Sequence, residues 1–399
     1  MIQLDRLQNI KIIGGSRHLS IDPEKPFSDI SLNFLDELSI NLKNYELVKK
    51  FPDLMTFSFW CRKRHLEQLK KKQTNIHKRI GRGLVFHVAP SNVPLNFGYS
   101  YIFGLLSGNT NIVKISSKGF PQAEILCQML DSLLKKEKYQ SLYKKSAFVK
   151  YDNETDLTKY FSSICDSRIV WGGDSTIKSI RSFETPVRST DIAFADRYSI
   201  CVINTKELTK LPKKDFYKVT KNFFNDTFVM DQNACSSPHI VLWFGVNKKK
   251  IINEFWEALG NYAKKNYEID NISALEKYKK LCQISIGVGN QFKLNKFENL
   301  IYRLSLKKIP KNIHELRGNC GFFFEYEASC IDEISFMINN KYQTLTYFGF
   351  EKEFLADFVF KNNLRGIDRI VPIGNALDIG LDWDGFEMVS SLSRIISFS

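Results

Sequence analysis

The chain has 399 residues, of which 43% are hydrophobic and 25% are charged, the ordinary composition of a folded globular protein. This composition excludes wholesale disorder, and the length excludes a small scaffold that needs disulfides or metals to complete its core. Lys and Arg number 57 against 43 Asp and Glu, which gives a formal net charge of +14. The excess favours an anionic partner such as nucleic acid, acidic lipid, a phosphorylated cofactor or an acidic protein, although a lysine-rich genome has the same effect.

The eight cysteines are scattered along the chain, and no pair has the C-x-x-C spacing of a zinc or redox site. We therefore expect free thiols in the cytoplasm and no metal centre. The first ten residues lack the basic and apolar segments of a signal peptide. No run of 18 apolar residues is present, so no membrane contact is expected.

The first half of the chain predicts helices within residues 28–75, followed by alternating strands and helices. Residues 62–82 are strongly basic, which fits either a solvated helix face or a docking patch for an anionic partner. The predicted strands are 84–88, 111–115, 146–151 and 167–171, and the predicted helices are one ending at 106 and one over 121–134. Alternation of this kind predicts an α/β fold with a mainly parallel sheet.

The second half begins with an apolar run that predicts a buried strand at 200–203. A run at 236–244 and helices near 251–265 and 331–337 follow. We place a domain boundary near 200–205, and the absence of a low-complexity linker predicts domains that pack closely.

Cys235 stands in the polar loop Asp231-Gln-Asn-Ala-Cys235-Ser-Ser-Pro238. Such loops present side chains to a cleft, and a thiolate is a strong nucleophile that forms acyl thioesters readily. A lone loop cysteine is more often structural, so this motif alone leaves both interpretations open. His239, four residues later, is a tempting proton donor, but its apolar neighbours favour a packed histidine.

A second polar loop, Pro90-Ser-Asn92-Val-Pro94, follows the first strand of the alternating region. A loop at the carboxyl end of a parallel strand faces the ligand crevice. Asn92 can there donate its amide to a developing oxyanion, or it can cap the next helix.

Gly172 and Gly173 lie between a predicted strand and a predicted helix. At such a turn the backbone can approach a pyrophosphate, and helix N–H groups point at it. A plain helix cap at Asp174 or Ser175 explains the segment almost as well.

Lys114 lies near the end of its predicted strand and is followed by Ser116 and Ser117. A lysine and two hydroxyls suit an adenosine ribose, particularly one with a 2′-phosphate. The alternative is an ordinary surface strand end.

Several segments, taken in their order and spacing, resemble the aldehyde dehydrogenase superfamily and, more narrowly, the LuxC-type long-chain fatty-acyl reductases of bacterial bioluminescence. The segments that carry this resemblance are 83–94, 108–114, 171–174, 231–238, 364–377 and 383–385. The resemblance runs from about residue 80 to the end of the chain. It implies an aldehyde-dehydrogenase-like α/β fold of two domains with an active-site cleft between them.

The resemblance implies three parts of the chain with distinct roles. Residues 1–200 are expected to form a Rossmann-like domain that binds NADP(H), and residues 201–370 a catalytic thiol domain. Residues 371–399 are expected to pack back toward the first domain.

The resemblance also assigns roles to the candidate residues. Cys235 matches the catalytic thiol, and Asn92 matches the asparagine that holds the oxyanion together with the backbone N–H of the thiol residue. Lys114 matches the lysine at the adenosine ribose. Further expected cofactor-binding residues are Pro90, Ser116, Ser117, Gly172, Gly173 and Ser175. Ser117 stands where NAD-preferring members carry a glutamate, so the repulsion of a 2′-phosphate is absent and NADPH is favoured.

The chain departs from hydrolytic aldehyde dehydrogenases in one segment. These carry a Glu-Leu-Gly-Gly segment whose glutamate activates water, and here the glutamate position falls at about Ala193. Without that base, water attack on an acyl-enzyme is slow. We therefore expect an NADPH-dependent reductase that converts an acyl thioester, carried on CoA or on a protein, to an aldehyde through acyl-Cys235.

The family implies an acyl-protein synthetase as a partner, for which residues 62–82 are a candidate docking site, and a homo-oligomer is allowed. Three alternatives to the reductase stay open on the sequence. A non-catalytic or acyl-transferring member of the family would lack the reduction. A papain-like thiol hydrolase would need no NADPH. A basic nucleic-acid-binding protein fits the charge, but no RNA-binding signature or helix-turn-helix is visible, so we expect no nucleic acid partner.

Overall fold

The computed structural model describes residues 1–152, 155–245, 249–288 and 291–398. They form two compact units, one of Met1–Ala195 with the chain from Ile379 onward, the other of Asp196–Asp378. The first boundary between the units falls before residue 200, because the strand that starts at Tyr198 is an interior strand of the second unit's sheet. The second falls after residue 370, because Arg369–Pro372 is an edge strand of that same sheet.

The first unit is built on a six-stranded sheet. Its strands are β1 (Lys11–Gly15), β2 (Leu84–Val88), β3 (Thr110–Lys114), β4 (Ser146–Lys150), β5 (Ser167–Trp171) and β6 (Thr190–Phe194). The spatial order is β1-β4-β3-β2-β5-β6, and every pairing is parallel except that of β1 with β4. Strands β2 and β5 are buried at every residue, as expected for a sheet covered on both faces.

The strand order of the first unit contains a topological switch point. From β2 the chain adds β3 and β4 on one side and then crosses to add β5 and β6 on the other. Ligands of such sheets bind outside the carboxyl ends of the strands at this switch. Here the relevant ends are those of β2 and β5, and Val88 pairs in register with both Lys114 and Val170.

Helices cover the sheet of the first unit and bury their apolar faces against it. They span Asp29–Asn44, Pro52–Trp60, Lys63–Lys72, Asn96–Leu106, Pro121–Leu134, Gln140–Tyr143, Thr155–Ile164, Asp174–Arg181 and Met388–Ser391. Ser28 caps the first of them through its side chain, and Pro121 begins the fifth, as its fixed φ favours. Short two-stranded ladders join Ile2–Gln3 to His18–Leu19, Arg79–Gly81 to Ser393–Ile395, and Asp382–Trp383 to Phe386–Glu387.

The second unit contains a seven-stranded sheet. Its strands are β7 (Tyr198–Asn204), β8 (Pro238–Phe244), β9 (Phe292–Phe297), β10 (Ile301–Leu306), β11 (Phe322–Ala328), β12 (Tyr342–Phe348) and β13 (Arg369–Pro372). The order is β9-β10-β11-β8-β7-β12-β13, with only the pairing of β9 and β10 antiparallel. The central strand β8 is buried throughout.

The helices of the second unit span Thr205–Thr209, Lys213–Thr227, Lys249–Asn266, Asn271–Val288 and Lys352–Lys361. The segment Ile331–Met337, predicted as a helix, is a 3₁₀ helix. No helix within the described ranges has the length and apolarity needed to cross a membrane.

The basic stretch at residues 62–82 is partly engaged inside the first unit. Lys70 donates to the carbonyl oxygen of Phe27 at 3.3 Å. Arg79 and Arg82 donate to the carbonyl oxygens of Ser390 and Ser391 at 3.2 and 2.9 Å. These contacts give part of the positive charge a structural role, because they tie the C-terminal segment to the start of the sheet.

Candidate active site

Cys235 lies in a tight turn immediately before β8. The amide of Ser237 donates to the carbonyl oxygen of Ala234 at 2.9 Å, so Cys235 occupies the second position of a four-residue turn. The hydroxyl of Ser199 donates to the carbonyl oxygen of Cys235 at 2.6 Å. Cys235 is half-buried, while Ser236 and Ser237 behind it are buried. The turn therefore holds this residue at the surface of a fixed loop, at the amino edge of the sheet.

Gln232 closes the loop that carries Cys235. Its amide nitrogen donates to the carbonyl oxygens of Pro238 and Phe322, at 3.0 and 3.1 Å. Its amide oxygen accepts from the backbone N–H groups of Gly321 and Phe322, both at 3.0 Å. The side chain is 1% exposed and makes four hydrogen bonds, so its polar atoms are fully used.

The turn from Asn319 to Phe322 supports this loop from the side. The amide of Cys320 donates to the carbonyl oxygen of Asp231 at 3.0 Å, and the side chain of Asn319 donates to that of Asn233 at 2.7 Å. Cys320 has a φ of 58°, a left-handed conformation that costs energy in a residue other than glycine. The strain is held in place by the hydrogen bonds around it.

Lys277 lies under that turn and is 3% exposed. Its ammonium donates to the carbonyl oxygens of Asn299, Leu300 and Cys320 at 2.9, 2.8 and 2.7 Å. The same group lies over the ring of Tyr302, 4.5 Å from its centroid. Burial lowers the pKa of Lys277 to about 7, whereas three carbonyl acceptors and an aromatic face favour the charged form.

His239 is a packed histidine and not an available acid or base. It is 1% exposed, its ring stacks on that of Tyr198 at 5.3 Å, and its Nδ1 lies 3.1 Å from the carbonyl oxygen of Gly318. Burial, with the nearby charge of Arg317, lowers the pKa of His239 to about 3, so the ring is neutral at neutral pH. The structural interpretation of this residue is confirmed.

Asn92 lies at the switch point of the first unit, in the loop that follows β2. It is exposed, and its side chain makes no hydrogen bond within the described part of the chain. The next helix starts at Asn96 with Leu95 as its cap residue, so Asn92 is not a helix cap. Pro90, half-buried, starts the same loop. The capping alternative is excluded, and the amide of Asn92 is available to a ligand.

Gly172 and Gly173 follow β5 at the other side of the switch point. Gly173 is the cap residue of the Asp174–Arg181 helix, and no side-chain cap bond is present among the residues that the structure describes. Neither Asp174 nor Ser175 therefore caps this helix. A Cβ placed on Gly173 would meet no described heavy atom within 4 Å, so a ligand can approach its backbone closely.

A cavity of about 540 Å³ opens beside the same helix. It is lined by Asp174, Ile177, Lys178, Arg181, Ser182 and Ala195. Its lining combines apolar side chains with hydroxyl and charged groups, a mixture that is typical of sites for polar small molecules.

Lys114 ends β3 and lies half-buried, with its ammonium 4.9 Å from the ring centroid of Tyr151. Burial lowers the pKa of Lys114. The hydroxyl of Ser116 accepts a hydrogen bond from the amide of Lys118 at 3.2 Å. Ser117 is exposed, and the segment from 114 to 119 contains no acidic residue.

These residues have the chemistry that a nicotinamide dinucleotide needs. The space above Gly173, at the start of a helix, suits a pyrophosphate. Lys114 ends β3, the strand next to β2, and Ser117 lies in the loop that follows, so this part of the sheet edge carries a positive charge and a hydroxyl. An acidic residue at the same place would repel a second phosphate.

Ala193, the residue expected at the position of the water-activating glutamate, carries no group that can act as a base. Ala193 lies in β6. The acidic residue nearest to it in that strand, Asp191, is bound by Arg168 through both carboxylate oxygens at 3.1 Å and by Arg181 at 3.0 Å. Both carboxylate oxygens of Asp191 are therefore engaged by arginine side chains.

Sequence reasoning missed three residues around the thiol: Gln232, Ser199 and Lys277. Gln232 lies in the motif of Cys235, but the sequence assigns it no role, and no feature of the sequence around Ser199 indicates a contact with the thiol loop. Lys277 does carry a signal, because it shares one helix face with the buried residues Leu281 and Ile284. A lysine on an apolar face has a partner inside the protein more often than not.

Residues 61–395 match the family described as acyl-CoA reductase (LuxC). The chain belongs to this family. The long-chain acyl-protein thioester reductase of Aliivibrio fischeri is 24% identical over 334 residues, which cover 79% of this chain and 64% of that protein. The protein of the same name from Photobacterium phosphoreum is 23% identical over 330 residues, covering 80% and 63%. The chain thus matches less than two thirds of the length of these relatives.

Solved structures support the fold. The NAD-dependent benzaldehyde dehydrogenase from Corynebacterium glutamicum aligns with a TM-score of 0.62 at 12% identity, over 92% of this chain and 84% of that one. Similarity at this identity concerns the fold alone. It confirms the predicted aldehyde-dehydrogenase-like α/β fold.

Proposed function

We propose that this chain reduces an acyl thioester to the aldehyde, with NADPH as the reductant and acyl-Cys235 as a covalent intermediate. The observation that carries the proposal is the fixed turn of Cys235 in a member of the acyl-CoA reductase family. A half-buried cysteine at the tip of a firmly held loop suits a nucleophile better than a packing role.

The first step is acyl transfer to the protein. The thiolate of Cys235 attacks the thioester carbonyl, the bond to the donor sulfur breaks, and the donor leaves as a thiolate. The amide of Asn92 and the backbone N–H of Cys235 donate to the oxyanion of the tetrahedral intermediate. One thioester is exchanged for another, so neither a metal nor an oxidant is needed.

NADPH, when bound, supplies the hydride for the second step. Gly172, Gly173 and Ser175 would hold its pyrophosphate, and Lys114 and Ser117 would hold the ribose with its 2′-phosphate. Pro90 and Ser116 would complete the contacts. Reduction of the acyl carbonyl gives a thiohemiacetal on Cys235, which collapses to the aldehyde and regenerates the thiol with uptake of one proton overall.

Acid formation is the competing outcome, and the residues present disfavour it. Hydrolysis of acyl-Cys235 needs a base to activate water. Ala193 cannot act as a base, and Asp191 is neutralised by two arginines. The acyl-enzyme therefore persists until hydride or a thiol reaches it.

The acyl donor belongs to one of two thioester classes. The family description points to acyl-CoA, and the names of the relatives point to acyl groups carried on a protein. We further propose an acyl-protein synthetase as the partner that supplies a protein-bound acyl group, and a homo-oligomer is compatible with this arrangement; the family supports both.

The proposal is tested by steady-state assays with butyryl-, octanoyl- and palmitoyl-CoA, and with a protein carrying a thioester-linked acyl group. We expect NADPH oxidation with stoichiometric aldehyde, and slower turnover with NADH. Free acid without NADPH oxidation would instead indicate a thiol hydrolase. Acyl exchange between thiols without NADPH oxidation would indicate an acyltransferase. Either result would overturn the reductase.

A further inference from the structure

Three groups around the thiol form what we call the thiol clamp: the side chain of Gln232, the turn from Asn319 to Phe322, and the ammonium of Lys277. Gln232 lies three residues before Cys235, and it donates to the carbonyl oxygen of Pro238, three residues after it. A single side chain thus bridges both ends of the loop and leaves Cys235 at its centre.

The clamp connects this loop to a strand and then to a helix. Of the four hydrogen bonds of Gln232, two join the loop to Phe322, the first residue of β11, and a third joins it to Gly321. The turn before β11 is in turn fixed by Lys277, which donates to the carbonyl oxygen of Cys320. Lys277 comes from the Asn271–Val288 helix, so a continuous chain of hydrogen bonds joins that helix to the loop of Cys235.

The three carbonyl oxygens that face position 277 explain why a lysine occupies it. An ammonium has three N–H donors, and Lys277 faces the three carbonyl oxygens of Asn299, Leu300 and Cys320. Gly321 has a φ of 82°, and a Cβ there would come 2.2 Å from the carbonyl oxygen of Leu300. Lys277 therefore bridges two backbone segments, and these segments lie so close together that only glycine fits at position 321.

We propose that Gln232 and Lys277 are positioning residues that act through the clamp on Cys235, and that the loop loses its reactive geometry when either is removed. The effect on acyl transfer rests on the proposed function. The effect on the loop itself does not, because the clamp consists of hydrogen bonds between residues of the chain.

The test uses Gln232→Met and Lys277→Met in the full chain, which keep side-chain length and remove the hydrogen bonds. Gln283→Met and Lys279→Met make the same chemical changes at exposed positions of the Asn271–Val288 helix and serve as controls. Lys277→Arg keeps the charge and serves as the rescue. If Gln232→Met fails to fold, Gln232→Asn replaces it, since it stays polar and uncharged and only shortens the side chain, so that it no longer spans all four partners.

Two measurements separate the clamp from the proposed function. Hydrogen exchange without ligands reports on residues 231–238 and 319–322, and we expect about 10-fold faster exchange in both clamp variants. Single-turnover acylation by octanoyl-CoA should slow by about 10- to 100-fold with little change in half-saturating donor concentration. Controls should match the wild type, and Lys277→Arg should recover most of both losses.

The clamp is overturned if exchange in these two segments is unchanged in the variants. It is also overturned as a positioning device if exchange rises while acylation keeps the wild-type rate. A wild-type protein that accepts no acyl group from any donor removes the proposed function, and the exchange result then supports or overturns the clamp on its own.

Discussion

The loop of Cys235 and the loops at the switch point of the first unit are built in opposite ways. The thiol loop is held by its own Gln232 side chain, by the hydroxyl of Ser199 and by the backbone amide of Cys320. Asn92 and Ser117 are exposed, and their side chains make no hydrogen bond within the described ranges. The loop of the proposed nucleophile is therefore organised in advance, whereas the proposed cofactor side leaves its polar groups available to a ligand.

This contrast predicts that substitutions on the two sides fail differently. Changes at the switch point should lower activity while leaving stability nearly untouched. Changes around the thiol should lower both, because buried hydrogen-bond partners are lost.

The largest effect short of removing the thiol is expected for Asn92→Ala. Loss of one oxyanion donor should lower the acylation rate by about 10²- to 10³-fold. The free energy of unfolding should change by less than about 0.5 kcal/mol, because the side chain is exposed. Stopped-flow acylation and urea unfolding measure the two quantities, with the exposed neighbour Ser91→Ala as control. A parallel loss of stability would contradict the contrast.

Ser199→Ala probes the thiol side. The Ser199 hydroxyl donates to Cys235 and also accepts from the amide of Thr344 at 3.1 Å. Its removal leaves a buried N–H unpaired, which costs about 1–3 kcal/mol. Urea unfolding should show this loss, and the exposed Ser329→Ala should not. Equal stabilities of the two variants would show that the thiol loop is less firmly held than its geometry indicates.

The sequence predicted the strands and loops at the switch point better than it predicted the supports of the thiol loop, for a physical reason. Strand β2 and the loop after it are adjacent in the chain, so an apolar run followed by Pro90 and Asn92 already marks a sheet edge. The supports of Cys235 come from far away: Ser199 is 36 residues distant and Phe322 is 90 residues from Gln232. No local pattern encodes contacts of that range, and only the family resemblance identified Cys235.

Ser117→Glu tests whether the proposed cofactor site prefers NADPH to NADH. A carboxylate near a 2′-phosphate should weaken NADPH binding by about 10- to 100-fold and leave NADH binding little changed. Ser117→Gln has nearly the same size without charge and is the matched control. Fluorescence titration of both cofactors measures the ratio. An unchanged preference would remove Ser117 from the proposed ribose site.

The effect that is smallest near neutral pH is the titration of His239, which grows as the pH falls. The pKa of His239 is lowered to about 3 in the folded chain, whereas the value in the unfolded chain is near 6.5. Below about pH 6.5 the unfolded chain therefore binds a proton that the folded chain does not, and the free energy of unfolding falls as the pH decreases. Each pH unit below that costs about 1.4 kcal/mol for this residue. His239→Phe keeps the stacking on Tyr198 and should remove this slope, whereas the exposed His77→Phe should retain it. Urea unfolding at several pH values tests this, and an unchanged slope would contradict the buried neutral ring.

The most direct test of the central claim is intact-mass spectrometry of a single turnover. Wild-type protein and Cys235→Ala are mixed with octanoyl-CoA, first without and then with NADPH. The account predicts one octanoyl adduct on the wild type, none on the variant, and loss of the adduct with release of octanal when NADPH is added. An adduct that survives in Cys235→Ala, or one that NADPH does not discharge, would contradict it.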